Sequence, residues 1–363
     1  VDVAEDDFAG DGGLGLGFVV ARAAHAEGAF GGRGFAFVPE GATGPGEGAD
    51  DAAYEGSDEL LSIGAPLGRA LGLTRIGIHH ERLPPGRRTS YPHAESAEEE
   101  FVFVLQGRPD AWIDGRLYPL GEGDAVGFPA GTGLCHSILN NSDDEARLLV
   151  AGERSKPENR IYYPCNPEQR ARRADWWDDV PPRPMGPHDG VPDRGRRDSA
   201  KEGARLACIL NWQGEEQPAD HYAGDDEKML IGVDFSNRFG ITRLGIHHGR
   251  LLPGRRSCYP HAESLEEEFV FVLDGNPDVW IDGHLHALEA GDAVAFPAGT
   301  GICHCVINNG DTDARMIVIG QRDLPGNRNW YPLNPERRPL KQNWWDDAPK
   351  RPLGPHDGKP DPR

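Results

Sequence analysis

The stretch YPHAESAEEEFVFVLQG, residues 91–107, recurs as YPHAESLEEEFVFVLDG at 259–275, a constant 168 positions later. Each copy holds a His, a Glu two residues on, a Glu five further on, and an apolar run that closes on Gly. Residues two apart on a strand share a face, so His93 and Glu95 point the same way, with Tyr91 beside them. Ser96 and Ala97 turn the chain, and Glu100, Val102 and Val104 line one face of the returning strand. A hairpin of this kind brings imidazole and carboxylates together inside a barrel, which is the geometry of a metal site.

Outward from this stretch the repeat stays in register. YEGSDE (54–59) matches YAGDDE (222–227), LGLTRIGIHH (71–80) matches FGITRLGIHH (239–248), and the match runs without a gap to Asp193 and Asp361. Solenoid repeats have periods of about 20–50 residues, so a period of 168 marks a duplicated domain. The expected division is an N-terminal arm and edge strand over 1–53, one unit over 54–193, a linker over 194–203 and a second unit over 204–363. Each unit reads as strand after strand. RIGIHHERL is a strand, AWIDGRLYPL a hairpin with Asp114-Gly115 at its tip, and GDAVGFPAGTGLCHSILNN two strands joined through Pro129 and Gly131. EARLLVAGER closes the set, and a Pro- and Trp-rich tail follows, in which WWDD precedes GPHDG. In the arm, LGLGFVVARAA is an apolar patch and GFAFV a short strand.

Composition agrees with an all-β reading. The chain has 48 Gly and 31 Pro, and its apolar runs are short and rich in Val, Ile and Phe. A formal charge of −21 disfavours nucleic acid and anionic membrane as partners. No apolar run reaches the roughly 18–20 residues of a membrane span. The acidic opening VDVAEDDFAGDGG is unlike the basic start of a secretory leader. The six cysteines form no disulfide framework, since only Cys135 and Cys303 correspond between the units. A reducing cytoplasm is therefore expected.

Two signatures in each unit resemble those of the cupin superfamily. The first is carried by Gly86, His93, Glu95, Glu100 and Gly107, with Glu95 where the family has a second His and six residues instead of five after Gly86. The second is carried by Gly123, Pro129, Gly131, His136 and Asn140, with four residues instead of two before the His. Gly254, His261, Glu263, Glu268, Gly275, Gly291, Pro297, Gly299, His304 and Asn308 repeat both. The resemblance implies two tandem cupin barrels (double-stranded β-helix, or jelly-roll), hence a bicupin. It also implies one divalent metal ion in each barrel, two per chain. The inherited ligands are His93, Glu100 and His136 in the first unit and His261, Glu268 and His304 in the second. Glu95 and Glu263 stand where a fourth ligand is expected, and they are also the expected proton-transfer groups. Imidazole with carboxylate suits iron or zinc first, and also manganese or nickel.

The remaining candidates are weaker. Parity turns Cys135 away from His136, so it reads as a buried, inert thiol. One of each pair His79-His80 and His247-His248 is expected to face the barrel. Arg87-Arg88 and Arg255-Arg256 follow a Pro-Gly turn, where they either meet an anionic substrate or offset acidic neighbours. Trp112 and Trp280 read as core, and the WWDD and GPHDG segments as a strap packing on the neighbouring barrel, with His188 and His356 as minor site candidates. The leading functional expectation is a metal-dependent enzyme of dioxygenase, oxidoreductase or lyase type acting on a small polar molecule. A small-molecule binding or storage protein is the alternative, and a metal-free sugar isomerase or epimerase the third. A homo-oligomer is left open.

Overall fold

The computed structural model describes residues 20–22, 57–154, 156–194, 205–219, 221–222 and 224–362. The expected strand GFAFV and most of the linker lie outside these residues.

Period-two alternation explains how the chain divides its apolar side chains. In the strand Glu100–Gln106, Val102 and Val104 point with Glu100 into a barrel, where they pack with Ile113, Val126 and Ile138. Phe101 and Phe103 point the other way and are equally buried, at 0% and 2% exposure. They join Phe235, Phe239, Phe269 and Phe271 in a second core lying between the two units. Each such ring, fully buried, is worth about 1.5–3 kcal/mol. An apolar run with both faces covered thus builds a barrel and docks it on its twin.

Both barrels are antiparallel. In the first, a six-stranded sheet runs in the order Ile209–Asn211, Asp124–Phe128, Glu100–Gln106, Ala146–Glu153, Ile76–Leu83, Ile63–Ala65. It faces a three-stranded sheet of Arg116–Pro119, Asp110–Ile113 and His136–Leu139. The second barrel repeats this plan with Val20–Arg22, Asp292–Phe296, Glu268–Asp274, Ala314–Gln321, Leu244–Leu251 and Ile231–Asp234. The hairpin tips form as expected, with positive φ at Asp114 (46°), Gly115 (77°), Asp282 (47°) and Gly283 (88°).

Three expectations change. Residues 93–95 and the strand Glu100–Gln106 are not the arms of one hairpin. Ala94–Glu95 pairs with Ile161–Tyr162, while Glu100–Gln106 pairs with Asp124–Phe128 and Ala146–Glu153. The edge strands also cross over: Val20 pairs with Val294 of the second barrel, and Ile209 with Val126 of the first. Pairing therefore runs across the boundary expected at 204. Finally, each Trp-rich tail packs on its own barrel, because its anchor is there. Trp177 sits against Trp112, Cys135 and Leu139, and the Trp112 indole N–H donates to the His188 carbonyl at 3.0 Å. Trp345, Trp280 and His356 repeat the arrangement.

The inter-barrel contact is matched in size. A Cβ added at Gly127 would lie 2.4 Å from Phe239 Cδ2. The equivalent position in the second unit is Ala295, and the equivalent of Phe239 is Leu71, so a larger residue there faces a smaller partner. Gly127→Ala is expected to destabilise by about 1–3 kcal/mol through overpacking. Adding Phe239→Leu should recover part of that loss, which a double-mutant cycle in urea would measure.

Candidate metal centres

The two sheets of each barrel supply the site from opposite sides. His93 bridges to His136 on the smaller-sheet side, and Glu100 reaches in from the six-stranded sheet. Glu100 Oε2 lies 2.7 Å from His136 Nε2 and 3.3 Å from His93 Nε2. The counterpart distances in the second barrel are 2.7 Å for Glu268–His304 and 3.5 Å for Glu268–His261. In each set one ligand atom from every residue lies within 4.8 Å of the others.

Each imidazole is oriented by its main chain. His93 Nδ1 is 2.9 Å from the Tyr91 carbonyl, and His136 Nδ1 is 3.1 Å from that of Leu134. A carbonyl can only accept, so the ring proton sits on Nδ1 and the Nε2 lone pair faces the centre. His261 and His304 are held in the same way by Tyr259 and Ile302. Phe128 stacks on His136 at 3.6 Å between centroids and Phe296 on His304 at 3.5 Å, which fixes the ring planes. Two Nε2 lone pairs converging on a carboxylate are satisfied either by added protons or by a cation. With protons, burial opposes a charged His93, but the charge and hydrogen bond of Glu100 outweigh it and raise its pKa to about 9. Burial would likewise raise the Glu100 pKa, yet His136 and His93 draw it well below the carboxylate range. A divalent cation replaces those protons with charge of the same sign, so the residues present fit one.

Glu95 and Glu263 are not in the converging set, which corrects the expectation of a fourth ligand. Their short strands pair outward with the loop that precedes the tail, and amides there capture the carboxylates. Glu263 accepts from Asn327 at 3.1 Å and from Asn329 at 2.5 Å, and Asn343 donates to Asn329 at 2.6 Å. It lies 3.9 Å from His261 Nε2. Glu95 accepts from Asn159, and Ile161 stands where the second barrel has Asn329. Burial first, then the charge of the neighbouring ligand Glu, pushes both Glu95 and Glu263 up to about 8.

A cavity of about 230 Å³ adjoins the second set, and Tyr222, Leu230, Cys258, Val270 and Met316 contribute to its wall. Neither His247 nor His248 is among its lining residues, and of the pair it is His247 that shares the barrel-side face with Leu251. Parity puts His248 with Leu244 and Ile246 on the side facing the other unit. The arginine pairs turn out to be tethers. Arg88 is 3% exposed, grips Glu59 through two 2.7 Å bonds and donates to the Gly190 carbonyl; Arg256 does the same with Glu227 and Gly358. Cys135 packs against the strap, and burial pushes its thiol up to about 12. His188 and His356 each accept a backbone N–H, from Gly190 and Gly358, within the tails.

An antiparallel jelly-roll pair with a His–Glu–His set in each barrel defines a bicupin. The Cupin domain family model matches residues 79–152 and again 247–320, and the chain belongs to the cupin superfamily as a two-domain member. Germin-like protein 5-1 of Oryza sativa subsp. japonica is 32% identical over 28% of this chain and 48% of its own length. Quercetin 2,3-dioxygenase of Bacillus subtilis (strain 168) is 23% identical over 60% of this chain and 66% of its own. The chain thus spans about half the length of the germin-like relatives it matches. A solved structure of oxalate decarboxylase from Bacillus subtilis has a TM-score of 0.48 at 18% identity, covering 81% of this chain and 83% of that one. Among the described residues, no helix is long and apolar enough to cross a membrane.

Proposed function

We propose that the protein is a metal-dependent enzyme of dioxygenase, oxidoreductase or lyase type acting on a small polar substrate. The observation that carries this reading is the convergence of two oriented Nε2 atoms and one carboxylate in each barrel. Two His and one carboxylate, with the second carboxylate drawn aside, leave coordination positions for substrate; this donor set suits iron(II) first and zinc after it. Manganese and nickel fit the same donors. When bound, the cation supplies a Lewis-acid centre for a substrate oxygen. The protein's own share is to hold ligand orientation through the Tyr91 and Leu134 carbonyls and to keep a proton-transfer group nearby. Glu95 is that group in the first barrel and Glu263 in the second. The curated relative named for a dioxygenase supports oxygen chemistry. The free state of all six cysteines supports the cytoplasm as the location. A homo-oligomer belongs to the same proposal.

The two acids are held differently, which gives a test. Glu263 is fixed by two amides, whereas Glu95 has one and an Ile beside it, so Glu95 is freer to deliver a proton. Glu95→Gln is expected to lower turnover about 10²-fold or more with metal content unchanged. Glu263→Gln should cost less. The screen that exposes turnover runs over small hydroxy acids, keto acids and sugars, following oxygen uptake and product together. Saturable binding without turnover in fully metallated protein would show a binding module instead. Turnover untouched by both Gln substitutions would remove the acid/base role.

A further inference from the structure

Outside the metal centres, one buried polar side chain finds no hydrogen-bond partner among the described residues. His248 is 0% exposed, and neither ring nitrogen has a hydrogen-bond partner among the described residues. Its ring lies flat against Trp212, with centroids 4.3 Å apart and planes at 10°. Both line a cavity of about 370 Å³ between the barrels, whose walls include Phe103, Leu105, Phe271 and Leu273. Among the described residues the first unit shows no such site: its counterpart, His80, is partly exposed and has a partner.

We propose that this inter-barrel cavity binds a small uncharged aromatic alcohol, of the phenol class, through His248. The walls are aromatic and aliphatic, which selects a flat apolar body. A neutral imidazole offers one N–H donor and one lone-pair acceptor, and a hydroxyl answers either. Burial keeps the ring neutral, lowering its pKa to about 4. Charge at the rim argues against an acid. Glu122 and Asp274 are exposed there, and Arg315 already donates to Asp274 at 3.1 Å while lying 5.2 Å over the Trp212 ring. A carboxylate ligand would meet two exposed acids, and Arg315, though its Nε has no partner among the described residues, is already engaged with Asp274 through Nη1.

Isothermal titration of the full chain with phenol, toluene and benzoate tests this. Phenol is expected to saturate at one equivalent per chain, toluene to bind about ten-fold more weakly for want of the hydroxyl, and benzoate not to bind. His248→Phe should weaken phenol about ten-fold and leave toluene unchanged. His248→Gln, which keeps a donor and an acceptor, should retain most of the phenol affinity, and Trp212→Ala should weaken both ligands. Unfolding midpoints in urea identify any variant that fails to fold, in which case the His248→Gln and toluene results decide. The proposal is overturned if phenol shows no saturable binding, or if benzoate binds as well as phenol. It is also overturned if His261→Ala/His304→Ala abolishes phenol binding while the His248 variants keep it, since the phenol would then sit in the metal cavity.

Discussion

Replacing His93 and His136 together by Ala removes one of the two expected equivalents of divalent metal per chain, and His261→Ala/His304→Ala removes the other. Each pair takes away both oriented Nε2 donors and leaves a lone half-buried carboxylate, Glu100 or Glu268. One carboxylate does not hold a divalent ion against buffer. Elemental analysis after dialysis reads the result directly, and the urea midpoint of each variant shows that the barrel survives. The sign of the pH effect follows from the same contacts. Protons and the cation compete for the Nε2 lone pairs, and Glu100 raises the His93 pKa to about 9 in the protonated state. Metal retention should therefore weaken as pH falls. Unchanged metal content in either double variant would overturn the ligand assignment.

The second large effect is on stability. Glu99 is 2% exposed and accepts from the backbone N–H groups of Thr242, Arg243 and Leu244 at 2.8, 2.9 and 3.1 Å, and from the Thr242 hydroxyl at 3.0 Å. Glu267 does the same for Thr74, Arg75 and Ile76 of the first barrel at 2.8, 2.9 and 3.1 Å. Three successive N–H groups form a concave anion site, and each carboxylate fills the one on the opposite unit. Glu99→Ala strands four donors, the buried Leu244 N–H among them, and is expected to cost about 3–5 kcal/mol. Glu99→Gln keeps one acceptor oxygen and should cost less. Glu267→Ala should match Glu99→Ala. A loss below about 1 kcal/mol in urea denaturation would show that the clamp contributes little beyond packing.

The contrast between Glu99 and Glu100 shows what the sequence carried. Duplication, strand order and the inward set were legible because they rest on register and on period two, and parity alone placed Glu100 beside Val102 and Val104. The same parity turned Glu99 outward, and outward reads as solvent in a single unit. The signal that corrects it was present: FVFVL is apolar at every position, so both its faces must be covered and the outward face meets protein. Strand partnership was not legible. Residues 93–95 and 100–106 adjoin in sequence but belong to different sheets, because pairing is decided by distant segments such as Ile161–Tyr162 and Ala146–Glu153. The outward capture of Glu263 depends on Asn327 and Asn329, more than sixty positions away, and no local pattern announces it.

The crossed edge strands bear on how the chain matures during synthesis. Val20 waits for Val294, and Val126 for Ile209, so the first half leaves the ribosome with an open sheet edge and an uncovered Phe101–Phe103 face. Pairings this distant close slowly, and an open apolar edge is the surface on which chains associate wrongly. The first barrel is in this sense half of an obligate partnership that is complete only when translation is nearly over. Dependence on chaperones should fall on that interval, while the finished protein, with both edges and both clamps closed, no longer exposes it.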